Sequence, residues 1–467
     1  MDKLLANLLS SRELHPDTDK LLRDAWGELF NQLQQAREAI DNKDLFVPPA
    51  TDRNLAEGYR YLLGYVYASF ERVFFEDINF PYFRRAIPPV SKSTIDNADN
   101  LYLSARIDGN ASYRISGRAY HHGHWQSTRD LSAQRLAPQY VIFTAITQYS
   151  GDPGAMAAAG PKEKSDTGML DTYDLQIADD GYFEIVLAAE KPNHYNGNFI
   201  STFVRKPVAD ELVEFTANYL ICRQLFGDWS KEYPLELHIE KIDGDALESP
   251  VLTPQDAANK MRKLGRLVNN QMRYWNEFYV KLLNPYGDQS GSRPTFQKRN
   301  DLNPPMFTQA DTGGQSTNSY SSGIYDLNES EALIIEDHIP QDEPPVYSGF
   351  NLSNYWGESY DYEHAVSSLN DFQARADSDG VVRYVIAHRD PGVANWLDTT
   401  GHAQGYMSRR WTYHQPPSQL PKVKVTKIKL VNLMQHLPAD TRCISPDQRD
   451  EQIRQRRRHV RQRYRQS

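Results

Sequence analysis

The chain has 467 residues, of which 39% are hydrophobic and 24% charged, and its net charge is −9. That length suits two or three domains, or one large double sandwich, and the acidic balance argues against generic nucleic-acid binding. Two cysteines, Cys222 and Cys443, exclude a disulfide framework, and two thiols make no zinc site without His or carboxylate help. The start, Met1-Asp2-Lys3-Leu4-Leu5, lacks the basic and apolar runs of a secretory leader, and no window approaches eighteen apolar residues, so a cytoplasmic protein is expected.

Residues 1 to about 45 read as helix, with Leu22, Trp26, Leu29 and Leu33 near one face. The stretch ending at Pro49 breaks it, and a second helix is expected from Asn54 to Phe74, capped by Asp52 or Asn54. From Leu101 the period changes to two. Asp108-Gly109-Asn110 reads as a hairpin turn that returns the chain along Ser112 to Gly117. Further strands fit Tyr140 to Gln148 and Tyr182 to Ala189, the last entered through Asp179-Asp180-Gly181. Lys206-Pro207 is expected to open a helix to Phe226, lined by Leu212, Phe215, Tyr219 and Cys222, with Cys222 packing as a small apolar residue. The longest helix starts at Thr253-Pro254-Gln255-Asp256, where Thr caps and Pro takes the first position, and it runs to Asn284.

Residues 285–330 are rich in Gly, Ser, Asn and Asp. A loop of that length is a lid, an interface arm or an insertion, and it is the expected contact of a homo-oligomer. Its Thr312-Gly313-Gly314 lacks the Lys of a phosphate cradle. Strands resume near Ala332. Lys422 to Val431 reads as an edge strand whose phase slips at Thr426-Lys427, suggesting a bulge. Residues 447–467 form an Arg-rich tail, which either binds RNA or acidic surfaces or is a solvated helical end that pairs with the acidic body; the second is favoured.

The organisation expected is therefore mainly β with helical decoration (α+β). A helical region, 1–89, precedes a first antiparallel β-sandwich, 90–205. Helices and the long loop fill 206–330, a second jelly-roll-like sandwich spans 331–446, and the basic tail closes the chain.

Candidate chemistry concentrates after Asp390-Pro391-Gly392, where Asn395-Trp396-Leu397-Asp398-Thr399-Thr400-Gly401-His402 and Arg409-Arg410-Trp411 follow a strand. Asp398 is expected to orient His402 as a general base or acid, with Arg409 or Arg410 holding an anionic group. Asn395, Trp396 and Trp411 would complete a site for an apolar or aromatic small molecule. The structural alternative is an Asp that bonds nearby main chain and a His that packs. Two weaker clusters are His121, His122 and His124 with Asp130, a potential metal set, and the carboxylates Glu358 and Asp361. Histidine neighbours on a strand face opposite ways, so surface roles are the commoner outcome, as is helix capping for the carboxylates. No nucleophile elbow, P-loop or dinucleotide fingerprint stands out, and the cofactor is unknown.

The motifs Tyr355-Trp356, Ser367-Ser368-Leu369-Asn370 and Ala387-His388-Arg389-Asp390-Pro391-Gly392 are joined by Asn395-Trp396-Leu397-Asp398-Thr399, Gly401-His402 and Arg410-Trp411. On these the stretch 350–415 resembles the DUF1214 family of bacterial proteins, usually discussed with its DUF1254 companion. Asn97-Ala98-Asp99-Asn100 and Gly181-Tyr182-Phe183-Glu184-Ile185 echo it more loosely, without the family's Pro in the first motif. The resemblance implies β-sandwich domains and supplies no reaction. Two functional expectations follow: an enzyme working on a small molecule through Asp398 and His402, or a non-catalytic carbohydrate- or protein-binding sandwich.

Overall fold

The computed structural model describes residues 16–45, 48–125, 130–154, 162–242, 251–283, 299–307 and 317–464. Expectations for residues 1–15, Thr312–Gly314 and the last three residues lie outside these. Three long helices, α1 (Pro16–Asp41), α2 (Asp52–Phe74) and α3 (Pro254–Leu283), pack together through Leu29, Ala36, Tyr61, Tyr65, Val268 and Met272. Thr51, rather than Asp52 or Asn54, caps α2: its Oγ1 accepts from Asn54 N at 3.1 Å. At the start of α3 the Thr253 hydroxyl accepts from Asp256 N at 3.1 Å and donates to the Asp256 carboxylate at 2.6 Å, the expected cap.

The first sandwich comprises β1 (Arg84–Arg85), β2 (Asn100–Arg106), β3 (Tyr113–Arg118), β4 (Tyr140–Ile146), β5 (Asp166–Asp171), β6 (Tyr182–Ala188), β7 (Asn198–Ser201), β8 (Phe203–Val208), β9 (Glu211–Thr216), β10 (Tyr219–Leu225) and β11 (Glu236–Lys241). The second comprises β12 (Met306–Phe307), β13 (Asn318–Asp326), β14 (Glu331–His338), β15 (Tyr347–Ser353), β16 (Ser368–Asn370), β17 (Val382–Ala387), β18 (Trp396–Asp398), β19 (Gln404–Thr412) and β20 (Lys422–Lys429).

One topology is used twice. The five-stranded sheets run β1-β2-β10-β4-β5 and β12-β13-β19-β15-β16, and the four-stranded sheets run β11-β3-β6-β7 and β20-β14-β17-β18. Both four-stranded sheets carry a parallel pair at the same edge, β6 with β7 and β17 with β18. Leu225 pairs with Asn100 and Tyr140, while Thr412 pairs with Asn318 and Tyr347. This register equates Asn100, Tyr102 and Ser104 with Asn318, Tyr320 and Ser322, and Arg223 with Arg410.

Four expectations are corrected. The Asp108–Asn110 turn makes no hairpin: β2 and β3 belong to different layers, and the turn crosses between them. Residues 206–226 form no helix. Leu212, Phe215, Tyr219 and Cys222 are spaced like a helical stripe, but β8 and β9 form a ribbon and β10 is a central strand paired on both edges. Tertiary pairing overrides so short a periodicity, and it extends the first sandwich from 205 to Lys241. Cys222 does pack in that core. The loop expected at 285–330 includes β12 and β13, and its residues 285–298 and 308–316 lie outside the described residues. The register of β20 on β14 runs unbroken from Lys422 to Lys429, without a bulge. The phase slips because both faces are covered: Val423 and Val425 pack on the sandwich interior, and Ile428 on Leu433 and Leu437 behind it.

The basic tail is also no solvated end. It is helix α4 (Pro446–Tyr464), and Arg449, Arg456 and Arg463, seven residues apart, face inward and are buried. Arg449 bonds Asp390 and the Val393 carbonyl, Arg456 bonds the Tyr362 and Ser368 carbonyls, and Arg463 stacks 4.6 Å from the Trp229 ring. Val460 and Tyr464 enter the first core, and Ile453 the second, so α4 straps the two sandwiches together. No described helix is long and apolar enough to cross a membrane.

Candidate functional site

The loop singled out in the sequence serves chiefly to hold the second sandwich together. Gly392, at φ +78°, closes the Asp-Pro-Gly turn, its N–H donating to Asp390 Oδ1. The chain then enters β18. Asn395 donates to the Arg375 and Arg383 carbonyls and accepts from Arg375 N at 2.9 Å. Asn198, at the same place in the first sandwich, donates to the Gln176 and Glu184 carbonyls and accepts from Gln176 N at 2.7 Å. Asn395 is thus one of two matching struts, with no free amide for a substrate. Trp396 is buried, donates to the Ala387 carbonyl and stacks under Arg449.

Asp398 and His402 do not meet. Asp398 Oδ1 accepts from Thr400 N at 2.7 Å. His402 lies flat on Tyr360, ring centroids 4.0 Å apart, with Nε2 2.8 Å from Glu57 Oε1 and Nδ1 3.0 Å from the Thr399 carbonyl. The turn Thr400 (φ +50°) and Gly401 (φ +80°) sends the two side chains apart, and α2, expected as a helix but not as a neighbour of this turn, brings Glu57 in instead. The pair is corrected to His402 with Glu57, and Asp398 takes the local main-chain role.

In β19, alternation separates the expected anion-binding group. Arg409 and Trp411 point into the sandwich, where Arg409 pairs with Asp337 at 2.6 Å; both side chains are wholly buried, and the guanidinium lies 4.8 Å over the Trp411 ring. Only Arg410 points out.

What Arg410 faces is a cavity of about 350 Å³ between the two five-stranded sheets, roofed by α2 and α3. That volume lies at the low end of small-molecule pockets. The first sandwich contributes Tyr102, Ile142, Thr144, Ile146, Asp166, Met169, Ile221 and Arg223. The second contributes Asn318, Tyr320, Ser322, Ser408 and Arg410, and the roof Tyr65, Arg72, Trp275 and Phe278. Arg410 is only 4% exposed. Its Nη2 donates to the Ile95 carbonyl, Asn351 Oδ1 and Ser408 Oγ, while its Nε has no partner. The Asp96 carboxylate nearby is held by Ser359 N and Oγ at 2.8 and 2.7 Å, and no described carboxylate pairs with Arg410. Tyr320 lies under the guanidinium at 5.5 Å. A buried guanidinium without an anion is costly unless something completes it.

Other cations on the wall differ. Arg72 is bidentate to Asp152 at 3.0 and 2.8 Å, and Arg84 pairs with Glu76 at 2.6 Å. Arg223, the counterpart of Arg410, makes no side-chain hydrogen bond and no ion pair among the described residues. Asp166, on β5 of the same wall, also makes no side-chain hydrogen bond among the described residues; burial pushes its pKa up, an effect opposed by Arg223, Lys164 and Lys206.

The weaker clusters resolve locally. His121 meets Asp130 at 3.1 Å on the surface, while His124 bonds the Pro138 carbonyl. Burial lowers the pKa of both His122 and His124. Among the described residues no three His, Cys, Asp or Glu side chains converge as a metal set. Glu358 is buried against Arg60 and Asn354, and Asp361 caps the Glu363 and His364 amides.

No family model matches the chain, and no curated protein matches it. Among solved structures it is similar to an uncharacterized protein from Burkholderia cenocepacia, with 28% identity and a TM-score of 0.71 over 89% of this chain and 99% of that one. The VPA0106 protein from Vibrio parahaemolyticus is 11% identical over 85% of this chain and all of that one, with a TM-score of 0.39, too low to bear on the fold. The first likeness covers 89% of this chain and 99% of the other.

Sequence reasoning missed Asp166, Arg223 and Tyr320. The signal was an internal repeat: Asn-Leu-Tyr-Leu-Ser at 100–104 recurs as Asn-Ser-Tyr-Ser-Ser at 318–322, and Asn198-Phe199-Ile200-Ser201-Thr202 as Asn395-Trp396-Leu397-Asp398-Thr399.

Proposed function

We propose that the chain binds a small organic anion, an acidic head on an apolar or aromatic body, in the cavity between the two sandwiches. The reading rests on one observation: Arg410, which lines the cavity and is only 4% exposed, makes no ion pair with a described carboxylate. A carboxylate is the natural complement of a guanidinium fork. Ile142, Ile146, Ile221, Trp275 and Phe278 would receive the body. Membership of the DUF1214 family belongs to the same proposal. Acid–base turnover by Asp398 and His402 is not part of it, because neither residue lines the cavity.

The test is calorimetry and thermal unfolding with octanoate and phenylacetate against octanamide and phenylacetamide. The acids are expected to bind and to raise Tm; at a hundred times Kd the stabilisation is about 2.7 kcal/mol. Arg410→Gln should lose the effect and Arg410→Lys should keep part of it. Equal binding of the amides, or undiminished binding to the folded Gln variant, would remove Arg410 from recognition.

A further inference from the structure

Helices α1 and α2 are apolar on two faces. The inner faces carry Leu29, Ala36, Tyr61 and Tyr65 into the core shared with α3. The outer faces are apolar as well. On α2, Tyr59, Leu63, Tyr67 and Phe70 fall within about 80° of one another at roughly 100° per residue. On α1, Trp26 and Phe30 sit one turn apart, with ring centroids at 4.8 Å. These six residues, with Phe75 edge-on to Phe70 at 5.6 Å, are each 44–65% exposed. Arg37, on the same face of α1 as Trp26 and Phe30, donates from Nε to the Tyr59 hydroxyl at 3.0 Å. The two stripes therefore meet at that end and look out on one side of the helical layer.

Single exposed apolar residues are ordinary; a stripe of them is not. At about 200 Å² for a large side chain, seven half-exposed residues leave about 700 Å² uncovered. That exceeds the largest patch of a typical monomer, about 300–600 Å², and approaches the roughly 800 Å² that each partner gives to a standard interface. Gly27 stands beside Trp26 in mid-helix, where glycine weakens a helix. Among the described residues no atom lies within 4 Å of the place its Cβ would take. The folded chain gains nothing from the missing side chain, whereas a helix approaching from outside does. The flanks choose the partner. α1 carries six acidic and three basic residues and α2 three of each, so an anionic membrane would repel them, unlike the Lys- and Arg-rich helices that lie on one. The flanking charges come in pairs of both signs, Asp19 with Arg23 at 2.8 Å and Arg37 with Asp41 at 2.7 Å, which a two-fold axis can set against themselves.

We propose that this face seats a second copy of the chain, in a two-fold dimer whose α1 and α2 stripes pack on those of the partner. The inner face of α2 roofs the cavity through Tyr65 and Arg72, so the dimer clamps that roof from outside. The proposal stands independently of what the cavity binds.

The experiment is sedimentation velocity on the full chain across micromolar concentrations. The parent is expected to sediment as a dimer, at twice the chain's 53.6 kDa. Phe30→Glu on α1 and Leu63→Glu on α2 should each raise the dimer dissociation constant roughly a hundredfold, because each buries a charge against apolar side chains. Their circular dichroism should stay that of the parent, since both positions are solvated in the single chain. Leu212→Glu, on β9 outside the stripes and at a leucine as exposed as Leu63, should leave the dimer intact. A parent that stays monomeric overturns the proposal. It does so whether its Leu63→Cys variant reacts with maleimide, leaving the face bare, or resists it because residues 1–15 or another segment of the chain cover the face. A dimer kept by both stripe variants, or lost with Leu212→Glu, puts the interface elsewhere and overturns it too. A monomer that floats with phosphatidylglycerol vesicles makes the face a membrane seat instead.

Discussion

The two sandwiches share strand order and register, yet they fill their interiors by different means. In the first, Cys222 sits between Leu103 and Phe143 on β10, and the Phe183 ring covers Gly117 so closely that a Cβ there would lie 2.2 Å from it. In the second, the matching positions hold Arg409 and Asp337, an ion pair with no exposure. A common frame therefore tolerates an apolar centre or a buried charge pair, and the two respond differently to truncation. Arg409→Ala should be the most damaging single change, about 3–5 kcal/mol, because it strands a buried carboxylate; burial already pushes the Asp337 pKa up. Cys222→Ala in the first sandwich should cost about 1 kcal/mol, like other small core deletions. Urea unfolding of both variants decides the matter, and equal losses would mean that the pair is no more critical than a thiol.

Where the sandwiches agree, the effects should agree. Asn198 and Asn395 make the same three kinds of bond to the main chain, and each Ala variant should lose about 1–3 kcal/mol, the cost of leaving buried polar groups unsatisfied. Asn395→Ala that kept full stability but lost ligand binding would return Asn395 to the binding site and break the parallel. Where they differ most is the link into the central strand. The first sandwich inserts the ribbon β8–β9 before β10; the second uses the turn that carries His402. His402→Ala should cost about 1–2 kcal/mol through its bond to Glu57 and leave anion affinity untouched. Weakened binding would tie that turn to the cavity.

The elements themselves were largely legible. Both long helices before the first sandwich, the capped start of α3 and the strands at 140 and 182 follow from period and cap residues. The failures came where pairing partners are distant. Tyr219 to Leu225 read as helix because its apolar spacing is ambiguous, and only β2 and β4 on either side make it a strand. His402 was visible as a candidate, but its partner Glu57 is 345 residues away, so the sequence offered Asp398, four residues off, in its place. Arg410 was named together with Arg409, and strand alternation decided which of the two reaches the cavity. Arg223 carried no local motif at all and emerges only when the second sandwich is laid over the first, where Asp166 has no counterpart.

That overlay also yields the smallest expected effect, and one that separates the two walls. Asp166 has a raised pKa in the folded chain, chiefly from burial, whereas the Arg410 wall has no carboxylate at the corresponding place. Between the ordinary carboxylate pKa of about 4 and the folded value, the folded chain holds a proton that the unfolded chain has released. Stability contributed at this site is therefore greatest at low pH, falls as pH rises through that window, and is flat above it. Asp166→Asn removes the titration, so the variant should gain on the parent as pH climbs from 4 and then run parallel to it. Arg410→Gln should instead lose on the parent as pH climbs, because Arg410 is one of the charges that hold the buried Asp96 carboxyl down. Parallel urea midpoints for Asp166→Asn and the parent at every pH would place that carboxylate in open water, and the two walls of the cavity would then differ in sequence without differing in chemistry.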